Sequence, residues 1–379
     1  MDQVDAATVL GEHLINAILE NASVGTVKDI LKSGAPLWYQ KGEEGMSPLH
    51  AAAYVQNEEL VVMLIEKGAV WNAVDNFKNT AGDIALSFNN AGIYTRIRDA
   101  GIRAEMLLGI LNARSDSDES MDMDAEDGAL ILRERDKTAT GSNTAFLESK
   151  LRYTVDEHGQ EICMLKVGKE EVGVMMGWEK GIMEETVKKL CDDHRNNERL
   201  KVLNVGFGLG IIDTLFQSLP HPPTQHVIIE PHSDVLRHMR DLGWYSKPGV
   251  QILEGKWQDF INADGDESPL LAGGGFDVIY TDTFSEDYSD LHRFFEHLPD
   301  LLAGPESRFS FFNGLGATNA LFYDVYTHIA ELHLAEVGFD IEWSDVDVTS
   351  TFEEDRWGKS REYFTLPFYR LPIAKMGMV

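Results

Sequence analysis

The stretch "LKVLNVGFGLGIIDTLFQSL", residues 200–219, opens with an apolar run, turns through Gly206, Gly208 and Gly210, and continues in a pattern suited to a helix. Strand, glycine turn and helix in that order begin a βαβ unit. Working outward, "HVIIEP" (226–231), "VQILEG" (250–255), "FDVIYTDTF" (276–284) and "RFSFFNGL" (308–315) read as further strands, each pair separated by a helix-compatible segment. Alternating strands and helices predict an α/β fold with a mainly parallel sheet and helices on both faces. The tail holds two more strands, "FDIEWSDVDV" (339–348) and "REYFTLPFYRL" (361–371). The intervening "TSTFEEDRWGKS" is too short for a helical crossover, so they pair antiparallel at the sheet edge. A seven-stranded, mostly parallel sheet with such an edge is the class I methyltransferase arrangement, a Rossmann-like fold that dehydrogenases seldom finish this way.

The glycine turn by itself serves dinucleotides and S-adenosylmethionine alike, because missing side chains let backbone amides approach a ligand at a helix amino terminus. Asp213 follows the turn closely and would repel a diphosphate, which favours the sulfonium cofactor. Glu230 ends the second strand of the unit, 24 residues after Gly206, where an acid can accept ribose hydroxyls. Trp257, after the third strand, is either an adenine platform or a core residue.

A different pattern fills the first third. "ILKSGA" (30–35), "LIEKGA" (64–69) and "IRDAGI" (97–102) place Gly34, Gly68 and Gly101 at intervals of 34 and 33 residues, where glycine at the end of each second helix can take the left-handed cap. That is the ankyrin period, and "SPLHAAA" (47–53) has the opening of an ankyrin repeat, with "TAGDIAL" (80–86) a weaker copy. Two or three such units make a small all-α domain, residues 1–112, whose usual role is docking or stabilisation. The acidic stretch from 113 to 145 reads as a flexible linker, being poor in large apolar groups. Residues 146–379 form the α/β domain.

Composition narrows the partners. The net charge is −30 and the sequence pI about 4.7, which disfavours nucleic acid or an anionic membrane and favours a basic partner. Cys163 and Cys191 are the only cysteines, which suits the cytoplasm or nucleus and supplies neither a disulfide framework nor a zinc cluster. No run approaches the ~20 apolar residues of a membrane span. His328 and His333 share a helix without a matching third donor, so no metal site is expected, and nothing in the sequence demands more than a monomer.

The blocks "VMMGWEKGIM" (174–183), "VLNVGFGLGIID" (202–213), "VIIEPH" (227–232), "GKWQDF" (255–260) and "VIYTDTF" (278–284) resemble guanidinoacetate methyltransferase in order and spacing. Still more closely, the chain resembles the fungal arginine N5-methyltransferases, which join ankyrin-like repeats to that catalytic domain. Asn204 departs from the pattern, which has an acid there; asparagine can still orient the glycine loop. The resemblance implies S-adenosylmethionine as cofactor, held by Tyr153, Met175, Met183, Gly206, Phe207, Gly208, Leu209, Gly210, Ile211, Ile212, Glu230, Pro231, His232, Trp257, Gln258 and Asp282. The two methionines fit a core role equally well. The resemblance also implies that Glu179 and Asp282 hold the substrate guanidinium. Two carboxylates match its planar donor fork, Asp282 as the favoured proton acceptor and Glu179 as the clamp, although sequence does not separate the two roles. The resulting expectation is monomethylation of the δ-nitrogen (N5) of arginine in a basic, ribosomal protein, with the repeats as docking surface. The alternatives are a small-molecule guanidino methyltransferase and a non-catalytic interaction protein.

Overall fold

Ser23, Ser47, Asn57 and Thr80 decide where four helices of the repeat region begin, each side-chain oxygen accepting a backbone N–H of the first turn. The computed structural model describes residues 3–117, 142–155, 159–168, 170–261, 268–271, 273–349 and 360–377. Helices α1 (Gln3–Leu19), α2 (Val24–Lys32), α3 (Pro48–Tyr54), α4 (Glu58–Glu66), α5 (Ala81–Ser87) and α6 (Ala91–Ser117) form the repeats. Ala51, Ala52, Ala53 and Ala85 are fully buried, so their small side chains let paired helices pack closely. His50 joins successive repeats: Nδ1 lies 2.6 Å from Ser47 Oγ and Nε2 lies 3.0 Å from the Asn79 carbonyl. Gly34 and Gly68 adopt left-handed φ values of 94° and 88°, the expected helix caps. Gly101 does not cap a helix. It lies inside α6, where a Cβ would meet Trp71 at 2.8 Å and Val325 at 2.9 Å, so its glycine answers to packing rather than to a turn.

Val325 belongs to a segment far along the chain. The structure divides into two compact units, the first joining the amino-terminal residues to Leu315–Ile329, the second containing the rest. The third repeat is altered to receive that segment. Gly82 stands where the preceding repeat has Leu49, and Leu321 fills the space, its Cδ atoms 2.9 Å from where a Cβ would be. Asp83 stands where that repeat has His50 and accepts a hydrogen bond from Asn319 Nδ2 at 2.6 Å. Leu321 is wholly buried within the repeat core. Leu321→Ala should therefore destabilise the repeats by about 2–5 kcal/mol. Hydrogen exchange in α5 and α6 should quicken; unchanged protection there would contradict the packing.

In the second unit α7 (Asn143–Leu147) precedes β1 (Leu151–Val155), β2 (Glu161–Val167) and β3 (Glu170–Met176). Then follow α8 (Lys180–Cys191), β4 (Lys201–Val205), α9 (Ile211–Gln217), β5 (Gln225–Glu230), α10 (Ser233–Asp241), β6 (Val250–Glu254), α11 (Trp257–Ile261), β7 (Val278–Thr281), α12 (Tyr288–Leu301), β8 (Arg308–Phe311), α13 (Ala320–Glu336), β9 (Phe339–Asp347), β10 (Ser360–Arg361) and β11 (Phe368–Met376). The main sheet has the order β6-β5-β4-β7-β8-β11-β9. Its strands from β6 to β8 are parallel, and β11 runs antiparallel to β8 and β9. This is the class I methyltransferase sheet expected from the sequence, with one shift. The last strand begins at Phe368 rather than Arg361, because Ser360 and Arg361 instead pair with Glu171 and Val172 of β3. They complete a separate four-stranded sheet, β1-β2-β3-β10, that the sequence did not disclose.

The acidic stretch assigned to a linker lies mostly outside the described residues. Of its ends, residues 113–117 continue α6 and Asn143–Leu147 form α7. No described helix is long and apolar enough to cross a membrane.

Candidate active site

In parallel sheets ligands gather where the strands end, and β4, β5 and β7 end together through adjacent pairing. Gly206, Gly208 and Gly210 all have positive φ. A Cβ on Gly206 would lie 2.0 Å from the Asp282 carbonyl oxygen, and one on Gly208 would lie 2.8 Å from Met175 Sδ. The glycines thus serve first to let the loop close on the end of β7 and on β3. Asn204 does what its position required, donating from Nδ2 to the Gly206 carbonyl and to Asp213 Oδ2, both at 2.8 Å.

The expectation for Asp213 does not hold. Asp213 is wholly buried beneath the loop, bonded to Asn204 and 3.0 Å from His226 Nε2, so it does not face a ligand. Discrimination against a diphosphate falls to other groups. Glu230 accepts Phe207 N–H at 3.0 Å and His232 N–H at 2.7 Å, and Met175 Sδ accepts Leu209 N–H at 3.2 Å. Loop amides that would cradle phosphate are already engaged, and a carboxylate stands beside them. This donor set offers little to a diphosphate and is compatible with a sulfonium cofactor carrying ribose hydroxyls.

Tyr153 rests on the same loop, its hydroxyl donating to the Gly208 carbonyl at 3.4 Å while its ring stacks on His238 at 3.8 Å. Phe207, Leu209 and Ile212 are buried; Ile211 is half-buried. The other candidates are held by protein. His232 is fully buried, capping α10 through Nδ1 and contacting the Phe146 carbonyl at 3.1 Å through Nε2; Pro231 beside it is half-buried. Trp257 is 4% exposed within the core, its indole N–H donating to Glu286 at 3.1 Å and its ring edge-on to Phe294. Gln258 also donates to Glu286, at 3.2 Å. Of the two readings of Trp257, the packing matches the core residue. Asn313 is tied to β11, its N–H donating to Tyr369 Oη at 2.9 Å.

Both carboxylates lie near enough to Tyr280 for their charge to bear on its hydroxyl. Asp282 follows β7 and is half-buried; dense surroundings push its carboxyl up to about 7. Glu179 ends the single turn Gly177–Glu179 after β3 and is 2% exposed. Its Oε1 accepts Met176 N–H at 2.9 Å and the Tyr363 hydroxyl. Tyr280, wholly enclosed, donates to Met183 Sδ at 3.3 Å. Burial foremost, then the negative fields of Asp282, Tyr369 and Glu179, keep its hydroxyl protonated far into alkali. Sequence reasoning overlooked Tyr363, which sits in the tail it took for an edge strand.

Glu230 is likewise pushed up to about 7, by burial against the opposing pull of its backbone donors. Both folded-state values exceed the unfolded ones, so the stability these groups contribute is fully present below about pH 4 and is lost as pH rises through 7. The ligand-free unit should melt at progressively lower temperature between pH 5 and 8. Asp282→Asn should flatten part of that decline, worth about 4 kcal/mol at most at 1.36 kcal/mol per pH unit. Superimposable pH profiles for variant and wild type would contradict the assignment.

His333 does meet other donors: His292 and Glu336 offer ligand atoms within 4.8 Å of it and of each other. The imidazoles stack at 3.7 Å and 12°, and His333 Nδ1 lies 2.9 Å from Tyr288 Oη. Parallel rings aim their lone pairs side by side rather than at one point, so no metal centre is assigned to them.

The sheet order and the glycine loop after β4 define a class I methyltransferase fold, carried with ankyrin repeats. Residues 44–76 match the ankyrin repeat family and residues 153–333 the guanidinoacetate N-methyltransferase family. Protein arginine N-methyltransferase 2 of Cryptococcus neoformans var. neoformans serotype D is 41% identical, across 98% of this chain and 96% of its own length. Its namesakes in Saccharomyces cerevisiae and Aspergillus oryzae are 36% and 35% identical across 86% and 83% of this chain, and across 82% and 77% of their own. The chain belongs to this fungal protein arginine N-methyltransferase 2 family.

Proposed function

We propose that this chain methylates the internal δ-nitrogen of arginine, once per side chain, in basic proteins, with ribosomal proteins as the expected acceptors. The observation that carries the reading is that both acids border the glycine loop: Gly206 closes on the Asp282 carbonyl, and Glu179 accepts the N–H of Met176, whose neighbour Met175 accepts Leu209 N–H. The arginine in the relatives' names supports it.

When bound, S-adenosylmethionine supplies a methyl carbon on a positively charged sulfur, which departs as a neutral thioether with the carbon–sulfur electron pair. The chain's own residues must do the rest. A guanidinium has no available lone pair at neutral pH, its pKa exceeding 12. Glu179 binds outer nitrogens and localises positive charge there, freeing the δ-nitrogen's pair. Asp282 receives the δ-nitrogen's proton as the new bond forms, and burial that raises its proton affinity suits it to that step. Orientation supplies much of the remaining acceleration. The net charge of −30 draws basic acceptors.

A second reading, a free guanidino compound as acceptor, is favoured by the match of residues 153–333 to guanidinoacetate N-methyltransferase. Incubation with labelled cofactor and fungal lysate, then mass spectrometry of hydrolysed protein, separates the two. The proposal expects δ-methylarginine in protein. Label confined to ω-methylarginine or to small metabolites would overturn it.

A further inference from the structure

One oxygen of Glu179 accepts two donors, one local and one from far along the chain. Met176 N–H, three residues earlier, approaches at 2.9 Å, and the Tyr363 hydroxyl comes from 184 residues later. The second donor is placed by β10, whose residues Ser360 and Arg361 pair with Glu171 and Val172 on the strand that leads into Glu179. The Tyr363 ring then packs at 5.8 Å from that of Trp178, the residue before Glu179. Gly173 on the same strand lies beside it, where a Cβ would be in ordinary contact, 3.5 Å from Tyr363 Cε1. The four-stranded sheet therefore delivers a phenol to the candidate clamp.

We propose that Tyr363 is a positioning residue that fixes the Glu179 carboxylate for the substrate guanidinium. The terminal torsion of a glutamate is broad and roughly two-fold. Two donors on one oxygen select one orientation of the carboxylate plane, and a charge-assisted O–H bond holds it firmly. A phenol also suits the task electrically. It donates without bringing positive charge, whereas a lysine or arginine at the same place would compete with the guanidinium for the clamp. The inference rests on the reading of Glu179 as that clamp.

A double-mutant cycle tests it, using full-length protein, labelled S-adenosylmethionine and fungal lysate protein as acceptor at limiting concentration. Tyr363→Phe should reduce the initial rate about tenfold, the typical effect of a hydrogen bond to a charged group. Cofactor affinity, measured by calorimetry, should stay within about twofold of wild type. Glu179→Gln should cost on the order of a hundredfold or more, and the double variant should lie within about threefold of it, since residues acting through one another are not additive. A full further tenfold loss in the double variant, a wild-type rate for Tyr363→Phe, or a matching loss of cofactor affinity would overturn the positioning role while leaving Glu179 in place. A wild-type rate for Glu179→Gln, or no labelled protein even with the wild-type chain, would instead overturn the site reading, and this inference with it.

Discussion

Asp282→Asn is expected to lower methyl transfer by at least 10²–10⁴-fold, the range general-base catalysis supplies, while cofactor affinity stays within a few-fold of wild type. The substitution preserves shape but removes both the negative charge and the proton-accepting site that the proposed function places at Asp282. The loop backbone is unaffected, because the contact Gly206 makes at this position is with the Asp282 carbonyl, not with its side chain. Single-turnover rates and calorimetric cofactor binding check the two halves separately. Lost affinity with a surviving methylation rate would mean that Asp282 serves the cofactor and not the transferred proton.

Gly206→Ala should have the largest structural effect of any single methyl addition at the site. Its φ of 94° lies in the left-handed region, which costs an L-residue about 1–2 kcal/mol. The added carbon would also lie 2.0 Å from the Asp282 carbonyl oxygen, a backbone atom that cannot rotate aside. Overpacking of this kind costs about 1–3 kcal/mol more. Together these should lower the melting temperature of the methyltransferase unit by roughly 10 °C, at about 2–4 °C per kcal/mol, and abolish cofactor binding by parting β4 from β7. Differential scanning calorimetry and cofactor titration report both; a variant with wild-type melting and affinity would refute the close approach.

What could be read from the sequence follows a physical division. The strands of the main sheet are apolar runs bounded by turns, and the repeat helices begin at side chains that cap them locally, so both were visible in short windows. Asn204 was legible because it acts within its own strand end, on the Gly206 carbonyl two residues away. Gly101 was misread because its spacing matched Gly34 and Gly68, although the demand on it comes from Trp71 and Val325. Asp213 was misread because position in the chain says nothing about which way a carboxylate turns, and it turns toward Asn204 and His226. The segment Leu315–Ile329 and the Tyr363 hydroxyl were invisible for a related reason: each meets partners more than a hundred residues away. Gly82 and Asp83 carried a faint signal, standing where the first copy has Leu49 and His50.

The most direct test of the central claim is a crystal structure of the chain with S-adenosylhomocysteine and an arginine-containing acceptor peptide. The account predicts Glu179 and Asp282 both within hydrogen-bond distance of one guanidinium, with its δ-nitrogen turned toward the sulfur. A guanidinium touching only one of them, or presenting a terminal nitrogen to the sulfur, would contradict it.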